Sequence, residues 1–158
     1  MVMPATTANE LTLTISQEIK VQAPLEETFA ALLEQLGPSN EGHEGTPMPM
    51  KIEAWPGGRW YRDLGSDNGH LWGHVQSIKR PTLLEITGPL FLSTAVFSNL
   101  QYRLTAVEGG TLIAFRHIAL GMIPDDYKAG MQVGWANIIE RVRKSSEKAG
   151  QRPKVKQS

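Results

Sequence analysis

Between residues 50 and 120 the chain is interrupted every few residues by signals for tight turns, and this restricts its architecture more than any other feature. Met50, Ile52 and Ala54 alternate with polar positions up to Trp55, Pro56-Gly57-Gly58 turns the chain, and Arg59 to Leu64 runs back. Asp67-Asn68-Gly69 predicts a hairpin, with Asn-Gly supplying the positive φ angles of a type I′ turn. Leu71 to Lys79 follows, Arg80-Pro81-Thr82 bends it, and Leu83 to Thr87 continues. A third hairpin joins Val96–Val107 to Thr111–Leu120 through Glu108-Gly109-Gly110. Strands joined by so few residues have to be antiparallel, because a parallel pair needs a crossover of roughly a dozen residues or more.

A strand and two helices frame this run. From Glu10 the residues alternate, with Leu11, Leu13, Ile15, Ile19 and Val21 on one face and Thr12, Thr14, Ser16, Glu18 and Lys20 on the other. That is a strand with one side in water, and only Gln17 interrupts its apolar face. The period then changes. Pro24 suits a first helical turn, Glu26 and Glu27 sit where the helix dipole favours anions, and Leu25, Phe29, Leu32, Leu33 and Leu36 form one stripe. Gly37-Pro38 stops that helix, and Ser39 to Pro47 reads as a polar loop. Pro124-Asp125-Asp126 opens a long second helix, with Tyr127, Met131, Trp135, Ile138 and Val142 about one turn apart. The order of strand, helix, six further strands and helix predicts an α+β domain, an antiparallel sheet with one amphipathic helix to cover it. Residues 10–148 are expected to form this single domain, between a flexible N-terminus at 1–9 and a basic flexible tail at 149–158.

Composition removes several classes of function. Hydrophobic residues make up 41% and charged residues 20% of the 158, a globular balance and not a disordered one. Sixteen basic residues offset sixteen acidic ones, which argues against a dedicated nucleic-acid binder. The absence of cysteine excludes disulfides, Cys-based zinc sites, iron–sulfur clusters and thiol catalysis. No apolar run approaches the ~18 residues of a membrane-spanning helix, and Met1 to Asn9 lacks the pattern of a secretory signal, so a cytoplasmic protein is expected. Residues 140–158 carry seven basic groups against two acidic ones, read as a solvated helix end whose cations complement the dipole.

Four segments carry a resemblance to a known family. "WPGGRWY" at Trp55–Tyr61, "GHV" at Gly73–Val75 running on to Pro81, the hairpin "EGGTLIAFRH" at Glu108–His117, and "GW" at Gly134–Trp135 are similar to the SRPBCC superfamily. Within it they resemble homologues of the activator of the ninety-kilodalton heat-shock chaperone's ATPase, over about residues 10–145. The resemblance implies a helix-grip fold, a curved antiparallel sheet of about seven strands wrapped around the long C-terminal helix, with a cavity between them. Relatives usually carry tryptophan just after the first helix, where this chain has the polar segment Pro38–Thr46.

Several residues are candidates for lining that cavity. Tyr102 lies between Leu100 and Leu104, and His117 follows Ile113 and Phe115 in period two, which places a hydroxyl and an imidazole on the apolar side of the sheet. Either group serves as a polar handle for a ligand or as a hydrogen-bonded core residue. Gly130 and Gly134, beside Met131 and Trp135, cost the helix about 1 kcal/mol each relative to alanine. Close approach to the sheet is the favoured explanation, and room for a ligand the other. Trp60 and Trp72 flank the Asn-Gly hairpin and are expected to be cross-strand neighbours, though a bulge between Gly73 and Ile78 would change which face they and His74 occupy. The pair His70 and His74 is no metal site, because on a strand at ~3.3 Å per residue the rings start about 13 Å apart. His43, with Glu41 and Glu44, is expected in a solvated loop.

The functional expectation is a protein that binds a small apolar or amphipathic molecule between the curved sheet and the C-terminal helix. The lining would be Trp60, Trp72, His74, Tyr102, Phe115, His117, Met131 and Trp135, with no metal and no cofactor. His117 and Tyr102 would orient the ligand. A chaperone-interacting protein is one alternative, and a cyclase, dehydratase or hydrolase with His117 as acid/base is another. Nucleic acid and membrane insertion are excluded, and monomer and homodimer both stay open.

Overall fold

The structure is a computed structural model and describes residues 11–150. The expected flexible N-terminus lies outside the described residues, as does the basic tail apart from its first two residues, which continue the last helix. The elements are β1 (Thr12–Val21), α1 (Leu25–Leu36), β2 (Lys51–Ile52), β3 (Arg59–Gly65), β4 (Asn68–Lys79), β5 (Leu83–Gly88), β6 (Val96–Val107), β7 (Gly110–Gly121) and α2 (Asp125–Gly150). The seven strands form one curved antiparallel sheet in the order β1-β7-β6-β5-β4-β3-β2. Each hairpin-linked pair lies side by side, and β1 closes the far edge by pairing along its full length with β7. Among the described residues no helix is long and apolar enough to cross a membrane.

The alternation in β1 has the expected outcome: Ile15 and Val21 are buried while Thr12, Thr14, Ser16, Glu18 and Lys20 face water. Gln17, the interruption, donates its side-chain N–H to the Gln132 carbonyl at 2.8 Å and so ties this strand to α2. Helix α2 approaches α1 and β1 most closely, so it leans to one side of the hollow in the sheet. Trp60 on β3 is fully buried and donates its indole N–H to the Leu36 carbonyl at 2.7 Å, occupying an acceptor that the end of α1 leaves without a helical partner.

Two local details differ from expectation. The β3–β4 hairpin exists, but its tip is Ser66-Asp67, at φ 52° and 61°, and not Asn68-Gly69. The Asn68 side-chain amide donates to the Gly65 and Ser66 carbonyls, and Asp63 accepts from the Gly65 N–H at 2.9 Å, which holds the turn two residues early. Gly69 sits inside the ladder instead, where a Cβ would stand 2.2 Å from the Arg62 carbonyl oxygen. The second difference is a bulge. Trp60 pairs with Gly73 and Tyr61 with Leu71, so Trp72 is an extra residue on β4. This turns Trp72 inward with Trp60, their rings 5.0 Å apart, and sends His74 to the solvent face. A further irregularity between Val75 and Ser77 restores Ile78 to the inside, opposite the buried Leu84.

Candidate functional site

Under the central strands the space between sheet and helix is solid. Tyr102 on β6, Phe115 and His117 on β7 and Trp135 on α2 are all buried. Their rings pack in sequence, tilted for Tyr102–Phe115 at 4.8 Å and Phe115–Trp135 at 5.3 Å and edge-to-face for His117–Trp135 at 5.5 Å. The Trp135 indole N–H donates to His117 Nδ1 at 3.0 Å, and His117 Nε2 lies 3.0 Å from the Ser98 hydroxyl. An indole offers only a donor, so Nδ1 must accept, and the single proton of the neutral ring sits on Nε2 facing Ser98. Burial pushes the imidazole down to about 4, so the ring is neutral at physiological pH. His117 is therefore a hydrogen-bonded core residue with both nitrogens engaged.

The hollow lies to one side of this stack. A cavity of about 840 Å3 opens between α2, the segment 40–48 and the end of the sheet. From α2 it is lined by Gly130, Met131, Gly134, Trp135, Ile138 and Arg141. The opposite wall is Trp72 with Phe91, a residue of the connection between β5 and β6. Trp72 and Phe91 stand 5.7 Å apart, and Phe91 and Tyr127 of α2 6.0 Å apart, so a line of rings runs from the buried Trp60 to the start of the helix. A Cβ on Gly130 or Gly134 would meet nothing within 4 Å. The favoured expectation of close approach to the sheet is thus overturned, and both glycines face open space.

Residues 40–48 form a folded cover. Asn40 is buried and its side-chain amide donates to the Met48 carbonyl at 3.1 Å, while the Met48 N–H donates to the Asn40 carbonyl at 2.9 Å. Between these neck bonds Glu41 bridges Pro47 and a short 3-10 turn spans His43–Gly45. The His43 and Glu44 side chains are exposed as expected, yet the segment as a whole is one wall of the cavity. Arg141 reaches this cover from α2: its Nε donates to the Gln35 side-chain oxygen at 3.1 Å and stands 3.6 Å from the Glu41 carboxylate.

Of the residues expected to line a binding site, Trp72, Met131 and Trp135 line this cavity. Trp60 sits behind Trp72, and Tyr102, Phe115 and His117 form the layer beneath Trp135, none of them lining the cavity. His74 is on the outer face, thrown there by the bulge at Trp72. Sequence reasoning missed Asn40, Phe91 and Arg141. Arg141 carried a signal, a cation one turn past Ile138 on an otherwise apolar stripe; Asn40 and Phe91 lie in connections where no periodicity speaks.

A seven-stranded antiparallel sheet gripping a C-terminal helix, with a cavity beside that helix, defines a helix-grip domain of the SRPBCC superfamily. Residues 22–145 match the family described as Activator of Hsp90 ATPase homolog 1-like protein, and the chain belongs to that family. No curated protein matches it. Among solved structures it is similar to an uncharacterised protein of Rhizobium leguminosarum, with TM-score 0.66 and 18% identity over 87% of this chain and 95% of that one. It is also similar to an AHSA1-like protein of Aeromonas hydrophila, with TM-score 0.62 and 16% identity over 92% and 100% of the two chains. Ara h 8.0201 shares the fold with TM-score 0.61 and 16% identity over 84% and 96%.

Proposed function

We propose that this protein binds a small apolar or amphipathic molecule in the cavity between α2, the 40–48 cover and the Trp72–Phe91 wall. The observation that carries the reading is the pair of glycines in the interior of α2. Each costs the helix about 1 kcal/mol relative to alanine, and neither is required by any neighbouring atom. A helix that gives up this stability while leaving a void is accounted for if the void is used. The volume of about 840 Å3 falls within the range typical of small-molecule sites, and the wall of Trp72, Phe91, Met131, Trp135 and Ile138 is apolar.

Burying about 300 Å2 of ligand at ~25 cal/mol per Å2 supplies roughly 7 kcal/mol before association costs, which sets micromolar affinity as the upper reach of the apolar contacts alone. Trp72 and Trp135 line the cavity, so an occupant should alter their fluorescence. The test is a titration with fatty acids, sterols and aromatic polyketides, followed by tryptophan emission and thermal shift. Quenching together with a raised melting temperature supports binding. A panel that changes neither refutes it.

A further inference from the structure

An antiparallel sheet with one face in water alternates apolar-in and polar-out, and the outer face of this sheet departs from that rule at one end. Along its middle the outward side chains are polar and bonded to one another across four strands. Arg116 on β7 donates to the Gln101 side-chain oxygen at 2.9 Å, Gln101 on β6 donates to Glu85 on β5 at 2.6 Å, and Ser77 on β4 donates to the other Glu85 oxygen at 3.2 Å. Two residues further along β7 the chemistry changes. Ile118 stands between Thr14 and Asn99, and Leu120 is paired with Phe97, all of them on the face opposite the buried Ser98, His117 and Ala119. The Met122 N–H donates to the Ala95 carbonyl at 2.8 Å, which extends the β6–β7 ladder by one pair and keeps Met122 on the same side as Leu120. Phe97 is 59% exposed, Leu120 55%, Met122 61% and Ile118 39%. At ~200 Å2 for a fully exposed side chain of this size, the four present about 400 Å2 of apolar surface.

We propose that this end of the outer face, formed by Phe97, Ile118, Leu120 and Met122, is where a second copy of the chain packs, sheet against sheet, in a two-fold symmetric dimer. The area is the first argument. A standard interface takes about 800 Å2 from each partner, a little over half of it apolar, and the four side chains supply nearly all of that apolar share. Charge is the second. A two-fold interface sets the same patch against itself, so any charge inside it meets its own copy. The outward residues that flank the patch on the strands, Thr14, Asn99 and Thr87, carry none, and the charged Arg116 and Glu85 stand one row away, where an interface has its polar rim. An uncharged face gives a charged partner nothing to recognise, and sixteen basic residues against sixteen acidic ones leave no net charge to hold two copies apart. The cavity lies on the inner side of the sheet, so both copies keep theirs open.

The experiment is sedimentation velocity of the full chain over a range of about 1–500 μM. The weight-average mass is expected to climb from the 17.4 kDa of one chain toward twice that value, and to do so equally at low and high salt, because apolar contacts are not screened. Leu120→Glu sets two carboxylates into the same symmetric contact and should weaken association at least about tenfold, with the melting temperature of the dilute protein unchanged. Phe97→Thr, which keeps a strand-forming residue, should weaken it in the same direction. Val133→Glu, at an equally exposed apolar position on α2, should leave association as it is. A chain that stays monomeric over the whole range overturns the proposal. A dimer that survives both Leu120→Glu and Phe97→Thr, or one that is lost with Val133→Glu instead, overturns the assignment to this face. A dimer that dissociates on raising the salt overturns the apolar contact, and that measurement on the unmodified protein needs no variant to fold.

Discussion

Replacing Gly130 and Gly134 with alanine tests whether α2 is built around a void. Both positions are in the helix interior, both face open space, and an added Cβ finds nothing within 4 Å, so no steric cost offsets the gain in helix propensity. Each substitution should stabilise the protein by about 1 kcal/mol. In a domain of this length that raises the melting temperature by about 2–4 °C for each, and the double variant by about twice as much. Urea unfolding followed by tryptophan fluorescence should show the same order. Gly134→Leu extends the perturbation into the cavity and should weaken binding of an amphipathic probe such as 1-decanol, without loss of folding. If Gly130→Ala or Gly134→Ala destabilises the protein, the glycines serve a close approach and the space beside them is filled in solution. If Gly134→Leu leaves affinity unchanged, the void is real but not the binding site.

Two further perturbations address the core beneath the site and its cover. His117 is pushed down to about 4 by burial, against an ordinary value of ~6.5 in the unfolded chain, so the unfolded chain binds the extra proton in the interval between them. Its stability contribution is therefore complete above about pH 6.5 and falls as the pH drops, by about 2 kcal/mol at pH 5 relative to pH 7.5. His117→Gln keeps an acceptor for Trp135 and a donor for Ser98 but has no such proton site, so its stability, measured by urea unfolding, should change less over that interval; equal slopes would refute the assignment. Asn40→Ala removes the amide that closes the neck of the 40–48 cover and should cost about 1–2 kcal/mol. Amide exchange within the cover should rise and 1-decanol affinity fall, and an unchanged exchange pattern would show that the backbone bond to Met48 suffices.

The scaffold was legible because it is written in short-range signals. Alternation in β1, the stripe of α1, the turn at Glu108-Gly109 and the spacing of Met131, Trp135, Ile138 and Val142 each depend on a few adjacent residues. The lining of the cavity was legible only on α2 and at Trp72. His74 was misplaced because a single extra residue in β4 inverts the parity until a second irregularity restores it, and bulges leave no periodic trace. The interleaved Tyr102, Phe115 and His117 were placed correctly on the inner face, but parity cannot tell a residue that touches a cavity from one buried a layer below it. Gly130 and Gly134 give the same sequence signal whether they admit a neighbouring backbone or leave emptiness. Asn40 and Phe91 enter the site through long-range folding of two connections, which is information no local window holds.

Because α2 is anchored along one flank, against α1 and β1, the exposed positions of its other flank and the exposed tip of the 40–48 segment carry less of the task of keeping the protein folded. Relatives could remodel those two surfaces to suit different guests while the barrel-like frame stays as it is. Trp135 is the exception, since it lines the cavity and its nitrogen is bonded into the buried His117–Ser98 chain. Changing that tryptophan should alter selectivity and endurance together, which makes it the position where adaptation to a new guest is most constrained.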